Sequence, residues 1–230
     1  MKTIGLLGGM SWESTVSYYR ALNEGVKQRL GGLHSARVVM VSVDFADIEA
    51  LQQRGEWEAC GEALATAARQ VEQAGADFLM IGTNTMHKVA PQIEAAVGIP
   101  LVHIADATAE RLREDGVERV GLLGTRFTME QTFYRERLEA HHGIEVLIPD
   151  EAQRDTIHRV IYQELCLGRV EPASRRAYLQ VIETLAERGA QAVILGCTEI
   201  ALLITQDDTA VPLYDTTAIH AAQAVELALA

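Results

Sequence analysis

The sequence predicts an α/β fold made of two similar parallel-sheet domains. Three observations carry that expectation: an internal repeat, short apolar runs alternating with helical stretches, and polar tripeptides placed where those runs end. The repeat is the firmest. Gly5-Leu6-Leu7-Gly8 returns at residues 121–124, a shift of 116. Gly75-Ala76 returns at 189–190, a shift of 114, and Ile99-Pro100-Leu101 has a counterpart in Val211-Pro212-Leu213, a shift of 112. A near-constant offset over three motifs in the same order points to duplication of a unit about half the chain long. The expected domains are residues 1–102 plus 214–230 and residues 103–213, related by a pseudo-two-fold axis with the active site in the cleft between them.

Within each half the elements follow in order. TIGLLGG, ARVVMVSVDF, ADFLMIGT and PLVHI read as strands in the first, and RVGLLGT, GIEVLIP, AQAVILGC and VPLYD in the second. These runs are apolar almost throughout, as strands buried on both faces of a parallel sheet must be. The helical stretches WEACGEALATAARQVEQAG and RRAYLQVIETLAERG end on Gly75 and Gly189, residues suited to the left-handed turn just past a helix.

The chain has 230 residues and a formal net charge of -12, which argues against a nucleic-acid partner, because phosphate binding needs clustered Lys and Arg. No run approaches the ~20 apolar residues of a membrane span, and the N-terminal segment lacks a signal-peptide pattern. Cys60, Cys166 and Cys197 are sparse and odd in number, so reduced thiols and a cytoplasmic location are expected.

Ligands of open parallel sheets sit beyond the carboxyl ends of the strands. Gly8-Gly9-Met10, Thr83-Asn84-Thr85, Gly124-Thr125 and Cys197-Thr198-Glu199 all lie there. Cys197 at a strand-to-helix junction is placed to have its pKa lowered by the start of the following helix. Cys60 and Cys166 read as inert. Backbone N–H groups at Asn84, Thr85 and Thr198 are expected to cradle a substrate carboxylate, and the same side chains are suited to helix capping; both roles can coexist. Gly9 and Met10 are expected to shape the floor, with Thr125 facing them. A carboxylate beside Cys197 would raise the thiol pKa, so Glu199 reads rather as an answer to the helix dipole or as an attractor of a substrate ammonium. His87, His103 and His220 lack metal-ligand spacing, so no metal is expected, and GLLGGM departs from a dinucleotide fingerprint.

GLLGGMSWEST, GTNTMHK and LGCTEIA, at these spacings, resemble the aspartate/glutamate racemase family of cofactor-independent amino-acid racemases. The resemblance covers nearly the whole chain. It implies proton transfer at the α-carbon of aspartate or glutamate without pyridoxal phosphate, two thiols working from opposite faces, no cofactor, and a homodimer. Cys197 matches the second thiol, which in the family faces the L-form. Thr83 stands where the first cysteine belongs, and reads equally as a proton donor or as a residue that only hydrogen-bonds or fills space. An L-substrate preference follows. Relatives draw side-chain specificity from the region after the second strand, where Gln52, Gln53 and Arg54 lie, and from a later helix, where Arg169 lies; a solvated loop face is the alternative. Three further readings stand beside the racemase: a broad-specificity racemase, a one-cysteine decarboxylase resembling arylmalonate decarboxylase, and a non-catalytic amino-acid-binding protein.

Overall fold

The computed structural model describes residues 1–230 and divides into two compact units, Met1–Ile104 with His220–Ala230, and Ala105–Ile219. Each contains one four-stranded parallel sheet, and all eight strands fall within the runs named from the sequence.

In the first unit, β1 (Ile4–Gly8) leads through α1 (Trp12–Leu30) to β2 (Val38–Ser42). Next come α2 (Phe45–Arg54), α3 (Trp57–Gln73) and β3 (Phe78–Ile81). A 3₁₀ turn (Thr85–Val89) and α4 (Ala90–Glu94) then lead to β4 (Leu101–Val102). The strand order is β2-β1-β3-β4. Alternation along β1 and β3 explains their unbroken apolar character. Ile4, Leu6, Phe78 and Met80 pack on one face with Tyr18, Leu22 and Val26 of α1. Leu7, Leu79 and Ile81 pack on the other with Leu64, Ala68 and Val71 of α3.

The chain leaves this unit along α5 (Ile104–Glu114). The second unit holds β5 (Arg119–Gly124), α6 (Arg126–Glu130), α7 (Thr132–Glu136), β6 (Glu145–Leu147), α8 (Glu151–Gln163) and α9 (Pro172–Glu187). It continues with β7 (Ala192–Gly196), α10 (Ile200–Leu203), β8 (Leu213–Asp215) and the start of α11 (Thr216–Leu229), which carries the chain back. Its strand order, β6-β5-β7-β8, repeats that of the first unit.

The repeat extends to individual contacts. Leu7 pairs with Ile81 across β1 and β3, and Leu123 pairs with Leu195 across β5 and β7. Thr83 and Cys197 each lie two residues beyond those partners and are therefore equivalent. A Cβ on Gly5 would lie 2.5 Å from Val71, and one on Gly121 2.8 Å from Leu185, so matching helices press on matching strands through the absence of a side chain. Gly75 and Gly189 take φ of 93° and 98° just past α3 and α9, the left-handed region expected of them. No helix is long and apolar enough to cross a membrane.

Candidate functional site

Each unit carries one wall of candidate residues, at the carboxyl end of β3 in the first and of β7 in the second. The first begins at Gly82, whose N–H is bonded to the Leu7 carbonyl at 2.8 Å. Thr83 follows, half-buried, and Asn84, Thr85, Met86 and His87 after it are all buried. Nδ1 of His87 lies 2.8 Å from the Thr83 carbonyl oxygen and its Nε2 lies 3.2 Å from the Ile104 backbone nitrogen. A carbonyl only accepts and an N–H only donates, so the ring is the neutral Nδ1–H tautomer. The Thr83 hydroxyl makes no hydrogen bond of its own. Nothing here activates it as a base.

Gln52 is placed differently from its expected loop. It sits on α2, is 3 % exposed, and donates from Nε2 to the Met86 sulfur at 2.9 Å, which brings it to the Thr83 wall. The helix buries Ile48 and Gln52 one turn apart and leaves Gln53 and Arg54 in solvent, Arg54 paired with Glu56 at 2.7 Å. Arg169 is also exposed. Met10 is buried among Leu7, Ile81 and Met86, behind the same wall. Gly9 has φ of 89° and a Cβ there would lie 2.2 Å from the Val43 carbonyl, so only glycine fits.

On the second wall Cys197 is 7 % exposed, and its Sγ donates to Oε2 of Glu199 at 2.9 Å. The Thr198 hydroxyl donates to the same oxygen, also at 2.9 Å. Burial pushes the Cys197 thiol well above the ordinary range, and the Glu199 carboxylate adds to the rise; a backbone N–H of Glu199 opposes it. This corrects the expected lowering. The helix after Cys197 has only four residues, too short to set a large field against burial and an adjacent carboxylate. Glu199 answers the thiol rather than a helix dipole.

Capping also departs from expectation. Asn84 precedes a 3₁₀ turn and Glu199 precedes α10, and neither makes a side-chain cap hydrogen bond. Thr198 spends its hydroxyl on Glu199. Its backbone N–H has no partner within the protein and remains available to an anion. Thr125 does cap: it closes α6 by accepting from the Thr128 N–H at 3.2 Å.

Two features were not foreseen. Arg175 of α9 donates to the Leu203 carbonyl at 2.8 Å and to Asp208 at 3.3 Å, fastening the segment behind Cys197. His87, His103 and His220, distant in sequence, meet edge to face as a cluster beside the Thr83 loop, with ring centroids 4.4 Å apart for His87–His103 and 6.0 Å for His87–His220. Only the strand order brings them together, so their spacing gave no signal. All three cysteines are free thiols, Cys60 within the core.

Residues 7–224 match the model of the Asp/Glu/Hydantoin racemase family. A candidate Asp/Glu racemase from Yersinia pestis is 54% identical, with 100% of both chains covered and a TM-score of 0.92. An aspartate racemase homologue from Pyrococcus horikoshii OT3 is 35% identical over 100% of both chains, with a TM-score of 0.87. The broad specificity amino-acid racemase RacX of Bacillus subtilis (strain 168) is 25% identical over 173 residues, covering 74% of this chain and 72% of that protein. The chain belongs to the Asp/Glu/hydantoin racemase family and is an isomerase of the racemase type.

Proposed function

We propose that the protein interconverts the enantiomers of an acidic amino acid, aspartate or glutamate, with Cys197 addressing one face of the α-carbon and Thr83 the other. The observation that carries this reading is the hydrogen bond from Cys197 Sγ to Glu199 Oε2 at 2.9 Å, at the position equivalent to Thr83. The pair holds one proton. Passing it from sulfur to carboxylate leaves the charge of the buried pair unchanged, so a thiolate forms without the cost of adding charge to a dry site. That thiolate takes the α-proton of the L-substrate, and the freed electron pair spreads into the substrate carboxylate. The Thr198 N–H and the backbone around Asn84 and Thr85 stabilise that charge. A proton then reaches the opposite face from the Thr83 hydroxyl, which regains one from water; Glu199 gives the proton it took from sulfur to the hydroxide so formed, and the pair is restored with one proton on sulfur.

The expected substrate preference is L, because a threonine hydroxyl surrenders a proton to a carbanion far more readily than it removes one from carbon. Gln52 is the polar group we assign to the substrate side chain on the first wall. RacX suggests the alternative of a broader substrate range.

Proton NMR in D₂O on pure L- and D-aspartate and glutamate is the test, run after dialysis against chelator and hydroxylamine. Loss of the α-hydrogen from the L-form, abolished in Cys197→Ser, supports the reading. No exchange from any amino acid overturns it. A thiol held protonated, with only a hydroxyl and no base at the equivalent position of the first unit, also suits a single proton donor of the arylmalonate decarboxylase kind. CO₂ release from an arylmalonate without amino-acid exchange would select that reading.

A further inference from the structure

The internal repeat offers a comparison inside the molecule. Thr83 is equivalent to Cys197, and by the same shift His87 is equivalent to Ala201. In the second unit the Cys197 carbonyl is satisfied by the Ile200 backbone N–H at 3.0 Å, an ordinary turn closure that needs no side chain. In the first unit the Thr83 carbonyl is satisfied by the His87 imidazole at 2.8 Å, and the other face of that ring receives the Ile104 N–H at 3.2 Å. A loop of this kind therefore folds without a histidine. What the histidine adds is an external tie, fixing Thr83 to Ile104, where the first unit ends.

We propose that His87 is the positioning residue for Thr83: its neutral imidazole, bridging the Thr83 carbonyl and the Ile104 N–H, sets where the Thr83 hydroxyl points. The inference rests on the reading of Thr83 as the source of the returning proton. Unlike Cys197, whose Sγ is held by Glu199, the Thr83 hydroxyl has no hydrogen bond to orient it. Its direction depends on the backbone alone, and the backbone is held on one side by Gly82 to Leu7 and on the other by the imidazole. The ring itself cannot turn freely. It is 2 % exposed, with His103 at 4.4 Å and His220 at 6.0 Å packed against it. His220 is in turn fixed by the Tyr18 hydroxyl at 3.0 Å and the Val102 carbonyl at 2.8 Å. With both ring nitrogens engaged by backbone groups, His87 is not itself an acid or base in the reaction. Protonation would set an Nε2–H against the Ile104 N–H and break the bridge.

The two amide replacements separate the two halves of the bridge. Asn carries its amide nitrogen close to the place of Nδ1, so His87→Asn can keep the bond to Thr83. Gln reaches the place of Nε2, so His87→Gln keeps only the Ile104 side. The readout is proton NMR in D₂O on L-aspartate or L-glutamate, whichever the wild type exchanges faster, scoring α-hydrogen loss with retention separately from appearance of the D-enantiomer. We expect α-hydrogen loss from the L-form to stay within about twofold of wild type in both variants. D-enantiomer formation should fall by about tenfold or more in His87→Gln and in His87→Ala but not in His87→Asn, since small misplacements of a reacting group cost that much. Equal losses of both signals in His87→Gln, or inversion by His87→Gln as fast as by His87→Asn, would overturn the inference. Should His87→Gln not fold, His87→Ala against His87→Asn makes the same comparison. A second measurement does not depend on turnover: ¹⁵N chemical shifts of His87 should report the Nδ1–H tautomer, and the Nε2–H tautomer would overturn the bridge. A wild type that exchanges neither enantiomer sinks the racemase reading while leaving this measurement standing.

Discussion

Cys197 Sγ donates to Glu199 Oε2 across 2.9 Å, and burial, with the carboxylate beside it, holds the proton on sulfur by raising the thiol pKa well above its ordinary value. A buried thiol next to a carboxylate is a poor base, and the carboxylate is the reservoir that can take its proton. The base forms only when the proton crosses to Glu199.

Removing the sulfur tests the first consequence. Cys197→Ser keeps a small hydroxyl that can still donate to Glu199, so the fold should persist with an unchanged unfolding midpoint. Activity should fall by about 10²-fold or more, because an alcohol is a far weaker acid than a thiol. Steady-state exchange of the L-substrate α-hydrogen measures it, and turnover near the wild-type level in a folded variant would refute the role.

Glu199→Gln separates reservoir from base. With the carboxylate taking the thiol proton internally, the wild-type exchange rate should be nearly flat through neutral pH. The variant has no acceptor for the thiol proton and must ionise Cys197 into solvent. Its rate should therefore be low at neutral pH and climb as pH rises, approaching tenfold per pH unit below the thiol pKa. Losing the carboxylate also removes one cause of the raised thiol pKa, though burial, the larger cause, stays. Cys197 of the variant should accordingly titrate lower than in the wild type, read by the pH dependence of its alkylation. A flat profile at wild-type rate would show that Glu199 does not carry the proton.

His220 makes the first unit acid-sensitive. Burial depresses its pKa from 6.5 to about 4, and it sits among the Tyr18 hydroxyl, the Val102 carbonyl and the His87 ring, none of which supplies a negative charge. A depressed folded-state value means that the unfolded chain binds the proton first. Stability is whole above pH 6.5 and is lost as pH falls toward 4, amounting to about 2 kcal/mol at pH 5. Urea unfolding at pH 7 and pH 5 should show this decline in wild type, and His220→Gln, though weaker at pH 7, should decline by about that much less. The same pH dependence in both proteins would assign the acid sensitivity elsewhere.

The glycines preceding the two key residues should tolerate a methyl group unequally. At Gly196 a Cβ would lie 2.7 Å from the Leu123 carbonyl and 2.8 Å from Leu122, whereas at Gly82 the corresponding distances are 3.0 Å and 3.5 Å. Overpacking against backbone cannot relax by a rotamer change, so Gly196→Ala should cost about 2–3 kcal/mol and Gly82→Ala about 1 kcal/mol. Denaturant unfolding of the two variants gives the ranking, and the reverse order would mean that the two strand ends are not built alike.

The repeat, the strands and the glycine stops were legible because each follows from local chemistry that the sequence displays directly. Leu6 and Leu7 point to opposite faces, and both faces are buried, which is what an unbroken apolar run encodes. Chemistry at the site was less legible where it depended on the length of the next element or on three-dimensional neighbours. Nothing local to Cys197 announced that α10 would stop after four residues, and although the carboxylate two residues on was visible, its hydrogen bond to the thiol is set by the fold. Gln52 looked like a loop residue because Asp44 caps a helix that begins directly after the second strand and was not anticipated. The histidine cluster is wholly a product of strand order.

The asymmetry between Thr83 and Cys197 yields the last prediction. The two occupy equivalent positions, yet only one carries a thiol and only one has a carboxylate partner two residues on: the counterpart of Glu199 in the first unit is Thr85. The first wall therefore lacks both the base and its proton reservoir. It can return a proton but should rarely remove one. Exchange of the α-hydrogen should be fast from the L-form and slow from the D-form, with net conversion between them. Equilibrium remains at equal amounts of the two, since racemisation has an equilibrium constant of one in an achiral solvent; the low D-side turnover must be matched by a compensating KM. Thr83→Cys restores the thiol but not the reservoir. D-side exchange should accordingly rise by about tenfold or more while remaining below the L-side rate, because a thiol loses its proton far more readily than an alcohol. In Thr83→Cys/Thr85→Glu the added carboxylate should make that gain less dependent on pH. Proton NMR on pure D- and L-aspartate and glutamate in D₂O decides the matter. Equal wild-type exchange from both enantiomers, or no D-side gain in Thr83→Cys, would show that the first wall is not the limiting one.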